Sequence, residues 1–399
     1  MCLGLAFAAP FIAQNWIGSM DALPALRTFA AFLPITCLCG VMTGYFTAAN
    51  RIGTLAAVEV AEQFVCMGIT ILGLLILPPD DIAGSCLAVV LGSCCGYLLT
   101  LFTLLFLYRK ERYERSVRLP VAKRIITAAV PLALADDLKA GISALENLLV
   151  PRRLALFPGI GNPLAAFGIV SGMVFPVMMF PAAILFSLAE LLIPELARCA
   201  AVGSERRISY LTNRNLRVTL LYGLVFGGGL FLLADNLCDW LYPGVEVARY
   251  LRWFSVLVPM LYCDLIVDAM TKGLGQQKAC VRYNIISNSM DVALLFVLLP
   301  RFGLPGYFAS FTITHALNFC LSLRRLAKIG KPGLTLWFPC FALSAWLIAL
   351  FGATRFDGPA RQLGAFLGLF FCVSYFFGIW SGEDLRWLKN LIKPEKSLL

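Results

Sequence analysis

Charge is what this chain has least of. Only 14% of its 399 residues are Asp, Glu, Lys or Arg, where soluble domains run near a quarter. Histidine is almost missing too: His315 stands alone. Without a second histidine, and without a G-x-S-x-G or H-E-x-x-H motif, the chain lacks the parts for nucleophilic or zinc-dependent hydrolysis, and an enzyme is not expected. Cysteine is plentiful at 14, but the residues lie singly or as Cys37/Cys39 and Cys94/Cys95 within apolar runs, with no C-x-x-C pair. They read as small core hydrophobes rather than a disulfide framework or a metal site, so neither metal nor cofactor is expected. A basic stripe interleaved with aromatics on a soluble face is also missing, which leaves no place for nucleic acid.

What is present is grease. The chain is 60% hydrophobic with a mean hydropathy of +0.82, which sets the fold class as an all-α integral membrane protein. Segments of roughly 17 to 25 apolar residues cross a bilayer as helices. About twelve are read here, at 2–18, 25–48, 54–77, 82–108, 123–150, 165–195, 217–236, 250–270, 280–300, 304–323, 335–353 and 363–380. Lys and Arg concentrate in alternate connections and in the C-terminal tail by roughly three to one. That asymmetry predicts a cell (inner) membrane protein with its C-terminus in the cytoplasm, and it accounts for the net charge of +10. Anionic membrane lipids are the natural partner of such a surface.

The sequence repeats itself weakly. GYFTAANRIGTLAAVEVAEQFVCMGITILGLLIL from Gly44 and GLGQQKACVRYNIISNSMDVALLFVLLP from Gly273 align without a gap. Each has a glycine, a polar turn, then a helix with an acid 18 positions on, Glu62 and Asp291, and Glu59 falls opposite Asn288. Both helices leave the same side of the membrane and lie six spans apart. Parallel six-helix repeats of this kind are a transporter architecture with the substrate site between halves. In that register spans one to four match seven to ten, and two helices are expected to be missing ahead of Met1. The predicted organisation is an incomplete N-terminal lobe at 1–108, a basic cytoplasmic linker at 109–124, a six-helix lobe at 125–330, and a C-terminal helix pair with its tail at 331–399.

Ionisable groups at mid-bilayer cost on the order of 2.5 to 3.5 kcal/mol each, so they face a cavity or a partner. Asp136, Lys139, Ser143, Glu146 and Asn147 fall within an arc of about 100° on a helix, a proposed substrate stripe in which Lys139 offers a point charge to a phosphate. The alternative is a plain Asp136–Lys139 ion pair at (i, i+3). Glu62 and Asp291, with Glu59 and Asn288, read either as an ion or proton coupling site in each lobe or as packing hydrogen bonds. Asp264, Asp268 and Lys272 share one face, as a structural ladder or an access path. His315 is expected in an interhelical hydrogen bond. Pro131, Pro176, Pro181 and Pro194 mark hinges or static kinks in spans five and six, with Pro194 distorting its helix.

ALENLLVPRRL (144–154) and GIVSGMVFPVMMFPAAILFSLAELLIPELA (168–197) resemble the stage V sporulation protein B branch of the polysaccharide-transporter family, within the superfamily of lipid II flippases and multidrug extruders. LRTFAAFLPITCLCGVMTGYFTAANRIGTLAAVEVAEQ (26–63) looks like the same family's fourth and fifth helices. The resemblance covers nearly the whole chain. It implies two lobes plus a terminal pair with a groove for a lipid tail. It also implies outward movement of a lipid-linked oligosaccharide of the undecaprenyl diphosphate type by alternating access; H+ or Na+ is the partner that the coupling reading of Glu62 and Asp291 would require. It further implies that this chain matches helices three to fourteen and lacks the cationic cavity residues of the first two. A cation-coupled multidrug extruder and a non-transporting scaffold for envelope synthesis are the alternatives.

Overall fold

The computed structural model describes residues 2–49, 51–78, 81–110, 122–330 and 337–379, with side chains of the 122–154 helix described from Asp137 onward. Every segment expected to span is helical there. Cys2–Phe11 (α1) runs into a π-helical turn, Ile12–Ile17. Leu23–Ala48 (α2), Ile52–Ile76 (α3), Ile82–Lys110 (α4) and Ala122–Leu154 (α5) follow. Five helices are long and apolar enough by themselves to cross a membrane, and seven when two bent pairs are each taken as one span. The others are shorter or carry more polar residues. The chain divides into two compact units, Met1–Arg124 and Ile125–Leu399. The basic stretch 111–121 and the tail from 380 lie outside the described residues.

The first unit is built on α3 against α4. The motif Gly92-x-x-x-Gly96 lets their backbones approach, since a Cβ on Gly92 would lie 2.8 Å from the Cys66 carbonyl and one on Gly96 would lie 3.0 Å from Glu62 Cγ. In lipid, where hydrophobicity does not drive helices together, such small-residue contacts do.

The sixth expected span is broken. Pro163–Gly168 (α6), a π-helical turn and Phe175–Met179 (α7) meet Ala183–Ala201 (α8) at a bend of 65°. Pro181 sits in the break, having no N–H to continue the ladder. The carbonyls released there are taken up by tyrosines: Tyr262 Oη donates to Met178 O at 2.8 Å and Tyr222 Oη to Pro181 O at 2.7 Å. The α8 helix continues through Pro194, and Pro176 lies just after the π-helical turn, whose wider coil already departs from the regular ladder.

The seventh span, Glu205–Leu232 (α9), starts twelve residues earlier than hydropathy placed it. Arg206, Arg207, Arg214 and Arg217, expected in a loop, ride on its polar first half. Glu205 suits the positive end of the helix, and Arg207 ties that end to Glu195 of α8 at 2.6 Å. Ala234–Leu241 (α10) and Ala248–Ser255 (α11) lead to Val258–Gly273 (α12), bent 53° from α11. Gly223-x-x-x-Gly227 of α9 seats α12: a Cβ on Gly223 would lie 2.7 Å from Pro259 Cα. Gln277–Phe302 (α13) and Leu304–Gly330 (α14) form a hairpin, and Trp337–Ala353 (α15) and Pro359–Phe376 (α16) pack on α9. There Trp346 Nε1 donates to Leu224 O at 2.7 Å.

Candidate functional site

Three helices of the second unit turn polar faces toward one another. On α13, Asn284, Ser287, Asn288 and Asp291 follow at intervals of three, one and three, which is one side of a helix. On α14, Ser310, Thr314, Asn318 and Ser322 recur every fourth residue, and all four are buried. On α12, Asp264 and Asp268 are one turn apart. The result is a cavity of about 90 Å³ lined by Glu146, Asp264, Asn284, Ser287, Asn288, Asp291, Thr314, His315 and Asn318.

Asp291 is its best-held group. Ser310 Oγ donates to Asp291 Oδ1 at 2.6 Å, and Thr314 Oγ1 lies 3.2 Å from the same oxygen. The Glu146 carboxyl arrives from α5 into the same small cavity as Asp291. The second half of α5 is fixed in that position by the buried Val150 and Leu154 and by Arg153 over the Phe296 ring. Asn318 Nδ2 donates to both oxygens of Asp264, at 3.1 and 3.3 Å. Among the described residues Ser287 Oγ and Asn318 Oδ1 are buried with no hydrogen-bond partner, so the pocket holds spare oxygens as well as paired ones. An unpaired buried oxygen costs roughly 1–3 kcal/mol, a cost that a bound polar group or ion would relieve.

The first unit has a matching detail. Glu62 of α3 accepts a hydrogen bond from Thr100 of α4, as Asp291 of α13 accepts from Ser310 of α14. Beside it lies a groove of about 710 Å³ lined by Thr36, Thr43, Glu59, Glu62, Gln63, Tyr97 and Thr100 among others. Glu59 and Gln63 are exposed. The acid–hydroxyl pairing thus recurs at the two positions aligned by the sequence repeat.

The two aspartates of α12 differ in setting. Lys272 Nζ meets Asp268 Oδ2 at 2.7 Å, while Asp268 Oδ1 is buried with no hydrogen-bond partner among the described residues. Of the α5 stripe, only Glu146 enters the polar pocket; Lys139 and Asn147 are exposed, Ser143 is half-buried, and the Asp136 side chain lies outside the described residues. The expected hydrogen bond of His315 is not found among the described residues: its ring lies 4.1 Å from that of Phe311 and its edge lines the pocket. Among the described residues no three His, Cys, Asp or Glu side chains come together as a metal site.

A second, apolar cavity of about 450 Å³ is lined by α9, α12, α14 and α15 through residues such as Leu220, Met260, Phe319, Leu343 and Trp346. Arg217 marks one end, where its guanidinium lies over the Phe338 ring at 4.6 Å and donates to Ile379 O at 2.8 Å. The resemblance implied a groove at the terminal helix pair; its lining residues could not be read from the sequence, because they come from four separate helices.

No protein-family model matches the chain. In structure it superposes on a lipid II flippase, MurJ in an inward closed conformation, with a TM-score of 0.70 at 12% identity over 98% of this chain and 82% of the flippase. The fold is the flippase fold. In sequence the chain is similar to stage V sporulation protein B of Bacillus subtilis (strain 168), 23% identical over 95% of this chain and 78% of the relative. It is also similar to sporulation protein YkvU of the same organism, 23% identical over 73% of this chain and 69% of that protein. The resemblance read from residues 144–154 and 168–197 is borne out. The chain is a multi-pass membrane protein of all-α build, and none of these proteins is named for an enzymatic activity.

Proposed function

We propose that the chain is a flippase that carries a lipid-linked saccharide of the undecaprenyl diphosphate type across the cytoplasmic membrane by alternating access, using a cation at the Asp291–Glu146 pocket. The observation that carries this is the pocket itself. Two carboxyls lining one small pocket within a membrane unit need a shared counter-charge, a proton or a sodium ion, and neighbouring hydroxyl and amide oxygens suit a hard cation. Binding that favours one state over the other is all that coupling requires. Glu62, Glu59 and the Thr100 hydroxyl are assigned the corresponding place in the first unit.

The lipid half of the reading rests on the apolar groove, which fits an isoprenoid or acyl chain, and on the exposed Lys139, assigned to the diphosphate with Asp136, Ser143 and Asn147 alongside it. The basic end of the second unit, with Lys272, Arg282 and Arg325, is assigned to the cytoplasm, where anionic headgroups neutralise it. A multidrug extruder would need the cation pocket but not the groove. The test is transport in proteoliposomes with a fluorescent undecaprenyl-diphosphate saccharide under a sodium or proton gradient. Wild-type protein translocates it, and Asp291→Asn lowers gradient-driven transport at least tenfold while migrating normally on gel filtration. Gradient-driven export of dyes with no movement of the lipid would replace this reading by the extruder.

A further inference from the structure

The polar residues of the second unit are not arranged evenly around Asp291; they lead in one direction only. At about 1.5 Å per residue, Asp291 lies roughly 21 Å along α13 from its Gln277 end, and Asn284 about half as deep. On α12, Asp264 stands about 14 Å, Asp268 about 8 Å and Lys272 one residue from Gly273, at the same end. On α14, Thr314, Asn318 and Ser322 descend toward that end in single turns, and Arg325 Nε meets Gln276 Oε1 at 3.1 Å there. Polar side chains therefore step from Asp291 to the basic end on three helices at once.

In the other direction the path is shut by rings. Phe311 lies one turn from His315, and its ring centroid is 5.2 Å from that of Phe175 and 5.4 Å from that of Phe254. Phe254 packs on Phe308 at 5.1 Å, and Tyr307 meets Phe167 at 5.8 Å. Phe254 is 1% exposed and Tyr307 3%. No ion crosses such a cluster without parting it.

Two further details mark the polar side as a passage. Ser287 and Asn318, 4% and 7% exposed, line the pocket, and among the described residues Ser287 Oγ and Asn318 Oδ1 have no hydrogen-bond partner. Asp268, the next carboxylate outward, likewise has one buried oxygen without a partner among the described residues, while its other is held by Lys272.

We infer that the coupling cation reaches the Asp291–Glu146 pocket from the basic end of the second unit, through Asp268 and then Asp264 with Asn318, and that the Lys272–Asp268 ion pair is the mouth an incoming cation must open. This rests on the reading of the pocket as the cation site. In the state described, the aromatic cluster of Phe175, Phe254 and Phe311 closes the opposite end. Asp268 acts here as a positioning residue for the ion's approach, not as its final ligand. A carboxylate at the mouth of a low-dielectric passage raises the on-rate of a cation by about ten to a thousandfold.

The test uses the full chain, reconstituted in one orientation in liposomes, with ²²Na⁺ as probe and, in a parallel arm, proton uptake followed by an impermeant pH dye. Cation added at the basic face is expected to bind at least tenfold faster than cation added at the opposite face. Asp268→Asn lowers the association rate about tenfold while the equilibrium affinity stays within twofold, Asp268→Glu restores the rate, and Lys272→Gln raises it. Asp291→Asn abolishes binding. Equal rates from the two faces overturn the path even if the variants misfold, and so does an Asp268→Asn rate equal to wild type. If wild type binds neither ion in a saturable way, the cation reading itself fails and the path falls with it. If binding is saturable and lost in Asp291→Asn but enters from the opposite face, the cation reading survives and only the path is lost.

Discussion

At the scale of single residues, the membrane makes each polar group accountable. Asp291 is 7% exposed, and the groups that hold it are Ser310 and Thr314 on the next helix. Side-chain hydrogen bonds between membrane helices are worth about 0.6 kcal/mol on average and up to about 1.7. Ser310→Ala with Thr314→Val is therefore expected to lower unfolding stability in detergent by about 1–2 kcal/mol. The same pair should weaken cation binding more than tenfold by leaving the carboxyl without donors, as measured by ²²Na⁺ competition. If the loss is purely structural, affinity in the folded fraction will be unchanged. Asp291 itself was visible in the sequence because a carboxylate in an apolar run is conspicuous. Ser310 and Thr314 were not, since hydroxyls are commonplace in membrane helices and satisfy themselves on the preceding turn, as Thr312 does on Phe308 O at 2.7 Å.

At the scale of elements, the break in the sixth span is the informative case. Its prolines could be counted in the sequence, but whether they bend or hinge depends on what receives the released carbonyls. Tyr222 and Tyr262, with tilted rings 5.9 Å apart, bolt the break to α9 and α12, so it is a fixed kink in this state. Tyr262→Phe is expected to lower the midpoint of thermal unfolding, at a cost of about 1 kcal/mol, because Met178 O loses its donor in a place without water. An unchanged midpoint in detergent would mean that backbone readjustment satisfies the carbonyl without it. Hydropathy also misplaced the start of α9 for a physical reason: its first half carries Arg and Asn on helical spacing, which a search for apolar runs reads as loop. The glycine pairs Gly92/Gly96 and Gly223/Gly227 were present in the sequence, yet only the facing backbone shows them to be contact points.

At the scale of the whole molecule, the groove and the polar pocket belong to the same unit, and they separate the rival functions. The groove contributes nothing to holding an ion and everything to holding a chain of methylenes or isoprenes, at roughly 25 cal/mol per Å² of apolar surface removed from a competing environment. Within a lipid bilayer that competing environment is itself apolar, so the groove serves by shape and by its position near Arg217 rather than by hydrophobicity. Filling it with Leu343→Trp is expected to reduce movement of the undecaprenyl-linked substrate several-fold while leaving ²²Na⁺ binding within twofold. Parallel loss of both would mean that the substitution disturbs the packing of α15 on α9 rather than a lipid site.

Fold class, the twelve helical segments, the similarity to the sporulation proteins and the conspicuous placing of Glu62 and Asp291 in apolar runs were all legible in the sequence. Each depends on local quantities: apolar length, charge in an apolar run, or a motif read along one strand of chain. The sequence also listed Glu146, Asp264, Asn288 and His315, but as members of four different groups. Only the tertiary structure decided that they line one pocket, because helices far apart in the chain meet through glycine contacts and bends that no periodicity encodes. The same cause explains why Lys139 and Asn147 share an arc with Glu146 on α5 and yet stay outside the pocket. An arc of about 100° is wider than the strip of helix one small cavity can use, and which part of it is used is set by the neighbours.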